Sequence, residues 1–484
     1  DAQGGCPYID PNPVESINGQ GHNYFRSENP YSLQSKAMFG EAYYQLTDEV
    51  KLTAGLRYTD DRKTFTPVPS QILLAPNLAA GGTVTEGYPA LPQIRQHWGE
   101  FTGRLVAQWT PKLDFTDQSM FYASYSRGYK GGGANPPTPG FATLEQEQAI
   151  AAAGGFPQDV IDLLTQTGNF PVLKLTGVEY GSTFAPEFVN AYEAGTKNTL
   201  LGGSMVLNSD VFYYDYKDYQ VSQIRDRTAV NENFDAKIWG AEMETQWQPM
   251  QDLRLLANFG YLNTQIGKGA KSIDIMNRTQ SNPDWVLVKP WMQLPSNCIV
   301  PIGVVQNYLN NTNALQSFWT MCGGVGGLLG FLALPAPTDP ATGQPYDVSN
   351  YPEVNGGAGF DADLSGNQLP NSPHFTFNIG AEYTLHWIDG WNTNVRGDFY
   401  HQSSSFARVY NDKPYDRLCG WNNANFSVDF VRIKDGLTVE LYVKNAFNTT
   451  AITDAFLNSD DSALTTNVFT TDPRIVGFSV TEHF

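Results

Sequence analysis

The sequence of 484 residues contains few charged residues and no long hydrophobic run. Charged residues make up 16% of it, whereas an average soluble domain has about 25%. A helix that crosses a bilayer needs about 18 or more consecutive apolar residues. The longest apolar stretch, 328–335, is far shorter and is set among glycines. The composition therefore excludes a helical membrane protein and argues against an ordinary soluble one.

The sequence also lacks the motifs of common enzymes. It has no H-E-x-x-H zinc motif, no G-x-S-x-G nucleophile motif and no G-x-x-x-x-G-K-[ST] phosphate-binding loop. Its six histidines are scattered along the chain. We predict that the protein is not an enzyme and that it holds neither a metal ion nor a cofactor.

Basic residues are scarce compared with acidic ones. There are 30 Lys and Arg against 49 Asp and Glu, which gives a net charge of -19. Nucleic acid is excluded as a partner, because phosphate contacts need clustered Lys and Arg. Two explanations of the acidic excess stay open. Large acidic loops would keep the protein soluble, or an acidic vestibule would concentrate cations or cationic ligands.

Cysteine is also rare, and none of the four cysteines forms a C-x-x-C pair. A few cysteines in even number suit an oxidising compartment. Cys298 and Cys322 lie in one long irregular stretch, so we predict a disulfide between them. Pairing of Cys6 with Cys419 stays open. The N-terminus has no signal peptide, and we expect the chain to begin after processing, after cleavage or within a longer protein.

What the sequence does contain is apolar and polar residues in strict alternation. In 50–58, Val, Leu, Ala, Leu and Tyr alternate with Lys, Thr, Gly and Arg, and 375–385 repeats the pattern. Such a strand places one face in lipid and the other in water. A soluble β-sandwich also alternates, but these strands are often 10 residues or longer, and aromatic residues, 13% of the chain, cluster near strand ends.

Short turns and long loops follow one another regularly, as in transmembrane barrels. The long segments, rich in Gly, Pro, Asn and Ser, are 61–96, 128–186, 267–369, 403–416 and 448–472. We predict an all-β, transmembrane antiparallel barrel with long extracellular loops. Its thirteen predicted strands are 34–46, 50–60, 98–110, 118–127, 187–200, 203–224, 235–248, 252–265, 372–386, 391–402, 417–432, 437–447 and 473–484.

Seven segments, in order along the chain, resemble TonB-dependent outer-membrane receptors. They are LTAGLRY (52–58), FYASYSRGYKGGG (121–133), YEAGTK (192–197), VFYYDYKDYQV (211–221), LPNSPHF (369–375), VKNAFN (443–448) and the closing PR (473–474) with Gly477 and Phe484. The resemblance implies the outer membrane of a Gram-negative bacterium, a 22-stranded barrel and an N-terminal plug. Neither the plug nor the remaining strands are recognisable here. We expect 1–30 to belong to an extracellular loop and 31–484 to be the C-terminal part of the barrel.

The resemblance also implies partners and an activity. The partners are outer-membrane lipid, the missing plug and strands on the same or a separate chain, the TonB complex through the plug, and the barrel-assembly machinery, for which Phe484 resembles the signal. The expected activity is TonB-dependent uptake of a scarce ligand, by analogy a ferric siderophore. A passive porin-like channel and a structural or partner-binding barrel are the alternatives.

Candidate ligand contacts fall in two groups. Arginines on the watery face are expected to pair with the plug or with Glu242 and Glu382, or to contact an anionic ligand, since a charge facing lipid is costly. They are Arg57, Arg104, Arg254 and Arg396. Loop aromatics are expected either to stack on an organic ligand or to pack the loops. The main ones are Tyr129, Trp285, Trp291 and Trp319.

Overall fold

In the computed structural model, one large antiparallel sheet dominates the protein. The structure describes residues 25–26, 29–68, 71–72, 90–137, 157–159, 162, 181–225, 228–289, 297–311, 321–322, 336–458 and 465–482. The strands of the sheet are β1 Tyr31–Gln45, β2 Val50–Phe65, β3 Ile94–Trp109, β4 Gln118–Lys130, β5 Glu187–Leu200, β6 Met205–Arg225, β7 Thr228–Met250, β8 Leu253–Ile266, β9 Phe375–Ile388, β10 Trp391–Gln402, β11 Trp421–Arg432, β12 Thr438–Lys444 and β13 Ile475–Thr481.

Each strand pairs with the strands before and after it in sequence, in the order β1 to β13. Each of the thirteen predicted strands corresponds to one of them. The largest difference is at β7, which begins at Thr228 instead of 235. In the described part of the chain, β1 and β13 have a single neighbour each. The predicted segment 1–30 lies almost entirely outside the described residues. None of the described helices is long and apolar enough to cross a membrane.

The two faces of the sheet differ as the alternation predicts. On the apolar face, large side chains such as Leu56, Leu105 and Phe478 are 61%, 58% and 73% exposed. On the opposite, polar face, Thr53 and Thr59 are both 7% exposed. Leucine and phenylalanine standing free on one whole face require a non-aqueous surrounding.

Short connections gather at one end of the sheet, here called the turn end. Residues 46–49 join β1 to β2, and 389–390 join β9 to β10. The turn between β5 and β6 has three consecutive residues with positive φ, Leu201 at 58°, Gly202 at 67° and Gly203 at 84°. Two glycines make such a turn accessible, because residues with a Cβ resist this conformation.

Long connections gather at the opposite, loop end, where β6 and β7 continue beyond their neighbours. These strands have 21 and 23 residues, about twice the length needed to cross a bilayer. β6 stops pairing with β5 at Lys217, and β7 pairs with β8 only from Ala236 onward. The remainder is a two-stranded projection, residues 218–225 and 228–235, that extends beyond the neighbouring strands.

The described parts of the segment between β8 and β9 fold into a small module. It contains the strand pairs Lys271–Ile273 with Asp361–Asp363 and Trp285–Val288 with Cys298–Pro301, and the helix Ile302–Asn310. Cys298 and Cys322 form a disulfide with Cα atoms 5.5 Å apart. Its core consists of Val288, Val300, Val304, Met321 and Tyr346 around that disulfide.

A second apolar cluster joins this module to the projection and to the loop after β10. Its members are Val221, Phe234, Ala236, Ile266, Ala362, Leu364, Leu369 and Val409. The loops at this end are thus packed onto the strands instead of standing alone.

Candidate functional site

A pocket of about 370 Å³ opens on the polar face near the loop end. This volume lies in the range of roughly 300–1,000 Å³ that is usual for small-ligand sites. β5, β6, β7 and β8 supply its wall, and the end of the β8–β9 segment supplies its rim. The lining residues are Glu193, Asp210, Phe212, Tyr214, Tyr216, Tyr219, Ile238, Glu242, Leu262, Thr264, Leu369, Pro370 and Ser372.

A β-bulge in β6 brings two tyrosines to the same side of the strand. Tyr216 pairs with Ala236 and Tyr219 with Phe234, so β6 has two residues between these pairs and β7 has one. One extra residue in a strand reverses the alternation beyond it. Asp218, within the bulge, has φ of 54°, and Asp235 holds it by accepting a hydrogen bond from its backbone N–H at 3.2 Å. Both tyrosines therefore line the pocket.

Aromatic rings form one side of the pocket. The rings of Phe212 and Tyr214 are stacked, with centroids 4.9 Å apart, and those of Tyr216 and Tyr219 meet edge to face at 5.3 Å. Gly240 makes room for Phe212, because a Cβ there would lie 2.6 Å from the phenylalanine ring. The glycine is thus required by close packing.

Carboxylates form the other side. Glu193 accepts a hydrogen bond of 2.6 Å from the Tyr122 hydroxyl. Asp210 and Glu242 lie directly opposite each other on β6 and β7. Sequence analysis missed this site. The sequence does show an acidic residue, Asp210 or Glu242, on the polar face of each of two strands. Only the pairing of these strands shows that the two residues lie side by side.

A buried ion cluster fixes the loop after β10 to the β8–β9 module. Arg408 places Nη1 2.6 Å from Asp274 Oδ1 and Nε 2.6 Å from Asp416 Oδ1. The arginine side chain is 16% exposed and the aspartates 2% and 1%. Tyr410 Oη lies 2.8 Å from the Oε1 atom of Gln223 on the projection. The ion cluster thus joins the loop to the β8–β9 module, and Tyr410 joins the same loop to the projection.

Arginines predicted as ligand contacts lie on the polar face, and two of the four are paired. Arg104 binds Glu41 through two hydrogen bonds, from Nε at 2.9 Å and Nη2 at 2.8 Å. These side chains reach across Gly55, whose added Cβ would lie 3.0 Å from Glu41 Oε2. Arg254 binds Glu382 with nitrogen and oxygen 3.2 Å apart, as the pairing alternative predicts.

Arg57 and Arg396 are exposed on the same face. Arg57 donates a hydrogen bond from Nε to the Thr59 hydroxyl at 2.9 Å, and its guanidinium lies 5.7 Å from the centre of the Phe39 ring. Arg396 faces Glu382 and Ser427 on the adjacent strands. None of the predicted arginines lines the pocket.

Of the predicted loop aromatics, Trp285 packs inside the β8–β9 module. Its ring contacts those of Tyr351 and Phe360 edge to face, at 5.3 and 5.5 Å. Tyr129 packs on Phe188 at 5.6 Å near the loop end of β4. Trp291, Trp319, Cys6 and Phe484 lie outside the described residues. Cys419 is exposed and forms no disulfide with a cysteine of the described residues.

The glycine run after β4 is clamped to its neighbours. The Lys63 Nζ donates to the carbonyl oxygen of Gly132 at 2.5 Å. A Cβ on Gly132 would lie 2.4 Å from the carbonyl oxygen of Phe184, so only glycine fits at this crossing. No group of three or more His, Cys, Asp or Glu in the described ranges is arranged to hold a metal ion.

Comparison with known proteins identifies a family model and solved structures that resemble this chain. Residues 5–446 match the family model described as TonB dependent receptor-like, beta-barrel. The ferric yersiniabactin uptake receptor FyuA from Yersinia pestis is similar at 14% identity over 95% of this chain and 47% of that one, with a TM-score of 0.56. The closed form of the ferric-catecholate import receptor Fiu from K12 E. coli is similar at 12% identity over 94% and 45%, with a TM-score of 0.51. At these identities the likeness concerns the fold, and the chain spans slightly less than half of either structure.

Proposed function

The chain belongs to the TonB-dependent receptor family, a family of the Gram-negative outer membrane, and from this we propose that it serves the energy-dependent uptake of a scarce ligand. The match over residues 5–446 carries the proposal. The geometry supports it, because an apolar face suits lipid, a polar face suits a lumen, and packed loops stand at one end with a pocket beneath them. The predicted β-barrel class is confirmed.

We further propose a ferric siderophore as the ligand. FyuA and Fiu, named for ferric yersiniabactin and ferric catecholates, share the fold. Arg57 and Arg396 remain candidate contacts for an anionic part of such a ligand, since they are exposed on the luminal face. Arg104 is a weaker candidate, because Glu41 already occupies its guanidinium.

The plug, the remaining strands and the TonB contact would come from the rest of the assembled receptor. Such a plug would close the lumen at rest and yield to TonB during transport. We also retain recognition of Phe484 by the barrel-assembly machinery as a proposal. Removal of that residue is expected to lower the amount of folded receptor in the outer membrane.

The test is an uptake assay in cells whose only receptor is the full-length protein. Cells are offered radiolabelled iron bound to each of several siderophores, with and without TonB. We expect accumulation of at least one complex that stops when TonB is deleted or the proton gradient is collapsed. Uptake that continues without TonB would establish a passive channel instead. A receptor that takes up no complex but binds a surface protein would favour a partner-binding barrel.

A further inference from the structure

The pocket on the luminal wall carries an excess of negative charge beside aromatic rings. We propose that it binds a positively charged organic group, such as an alkylammonium or a guanidinium, of the imported ligand. This inference rests on the proposed uptake function and narrows its substrate to ligands that carry a cationic arm.

Two like charges face each other in the pocket. Asp210 and Glu242 are direct cross-strand partners, and like charges in that relation destabilise a sheet. In the described part of the chain neither carboxylate has an ion-pair or hydrogen-bond partner. Lys197, two residues along the register from Asp210, attracts that carboxylate but forms no ion pair with it. A cation placed between the two carboxylates would remove the repulsion.

Aromatic rings line the other side of the pocket. Phe212 and Tyr214 are stacked, and Tyr216 and Tyr219 meet edge to face. Aromatic rings and apolar side chains therefore line the pocket together with the carboxylates. Organic cations gain energy over aromatic faces in addition to their attraction to carboxylates. A small hydrated metal ion would leave the apolar half of the pocket unused.

The pocket reaches the loop end of the sheet. Leu369 and Pro370, at the end of the loop module, form part of the rim. The pocket therefore lies where the luminal wall meets the loops, on the route of a ligand that enters from outside. Its negative field would repel an anion and attract a cation over roughly a Debye length, about 10 Å at moderate salt.

The experiment uses the full-length receptor in detergent and two ring compounds of similar size. Benzyltrimethylammonium is cationic, and phenylacetate is anionic. Binding is measured by saturation-transfer NMR titration. The test variant, D210N/E242Q, removes both charges with almost no change in volume. The control variant, D398N/E440Q, makes the same two changes on the luminal wall at β10 and β12, outside the pocket.

We expect the wild type and the control to bind the cation and not the anion. The test variant should bind the cation about tenfold more weakly, and higher salt should reduce the difference. Equal binding of both compounds, no binding of either, or the same loss in the control variant would overturn the proposal. A basic side chain of the plug that fills the pocket would give no binding of either compound and so would also overturn it.

Failure of this inference and failure of the proposed function are separable. Uptake that requires TonB tests the function, whichever compound enters the pocket. If uptake requires TonB but the pocket does not prefer the cation, only the inference is wrong. If the pocket prefers the cation but uptake continues without TonB, the receptor function is wrong and the pocket belongs to a passive channel.

Discussion

Replacement of Arg408 by Met should release the loop after β10 from the β8–β9 module. Arg408 is the cation between Asp274 and Asp416, and the side chains of these aspartates are 2% and 1% exposed. Methionine keeps most of the volume but leaves two buried carboxylates without their cation. Removal of one partner from a buried ion pair costs about 3–5 kcal/mol.

The lower end of this range applies, because Arg408 is 16% exposed and water can reach the opened cluster. A loss of about 3 kcal/mol corresponds to more than a hundredfold change in the local opening equilibrium. Hydrogen exchange of the full-length receptor, followed by mass spectrometry, measures that equilibrium for residues 403–418. Exchange there should accelerate by that factor, while exchange of β2 and β3 stays unchanged.

Two further variants make the test specific. Arg417→Met changes an exposed arginine in the same loop and should leave exchange unaltered. The triple variant R408M/D274N/D416N removes the orphaned charges together with the cation and should recover most of the protection, since neutral replacements of a buried ion cluster are often tolerated. An increase of less than about threefold in R408M would refute the role of the cluster in holding the loop.

Three further predictions concern the other close contacts. Gly132→Ala should destabilise the loop end by about 1–3 kcal/mol, because the new methyl group meets a backbone carbonyl at 2.4 Å. Proteolysis of intact cells would detect the opened loop. Unchanged resistance to the protease would show that the close contact at Gly132 does not constrain the loop. C298S/C322S should lower the local stability of the β8–β9 module by about 3 kcal/mol, because the disulfide joins residues 24 positions apart. Hydrogen exchange in 285–301 should then become faster. Exchange at the wild-type rate would show that the disulfide does not stabilise the module. Burial raises the pKa of Tyr351 to about 12, and the hydrogen bond to Asp339 adds to this effect. Because the fold favours the neutral phenol, Tyr351 contributes its full stabilisation below about pH 10, and this stabilisation is lost as the pH rises through about 12. In a thermal melt, Y351F should therefore lack this loss of stability at alkaline pH.

The strands could be predicted because alternation is a local property. Each residue of a membrane strand faces lipid or water, so runs such as 375–385 show the strand directly in the sequence. The extension of β7 to Thr228 was not predicted, because residues 228–234 belong to the projection and face no lipid. There the alternation that indicates a membrane strand is lost.

Pairing across strands was harder to predict than the strands themselves. Glu382 was among the expected partners of the arginines, whereas Glu41 was not considered for Arg104, because the two lie on strands that are not adjacent but separated by β2. The pocket depends on a bulge at Asp218, and nothing in the local pattern showed that the alternation reverses there. The loop module has no hydrophobic period to follow, since its core is held by contacts between distant segments.

The Glu41–Arg104 pair bears on how the wall is assembled. It joins β1 to β3 across Gly55 of β2, so it requires that both strand pairings have the observed register. A slip of one residue in either pairing would turn a charged side chain toward lipid, at a cost of several kcal/mol near the bilayer centre. The three residues therefore discriminate correctly ordered neighbours from misaligned ones while the wall is still being built, before any ligand is encountered.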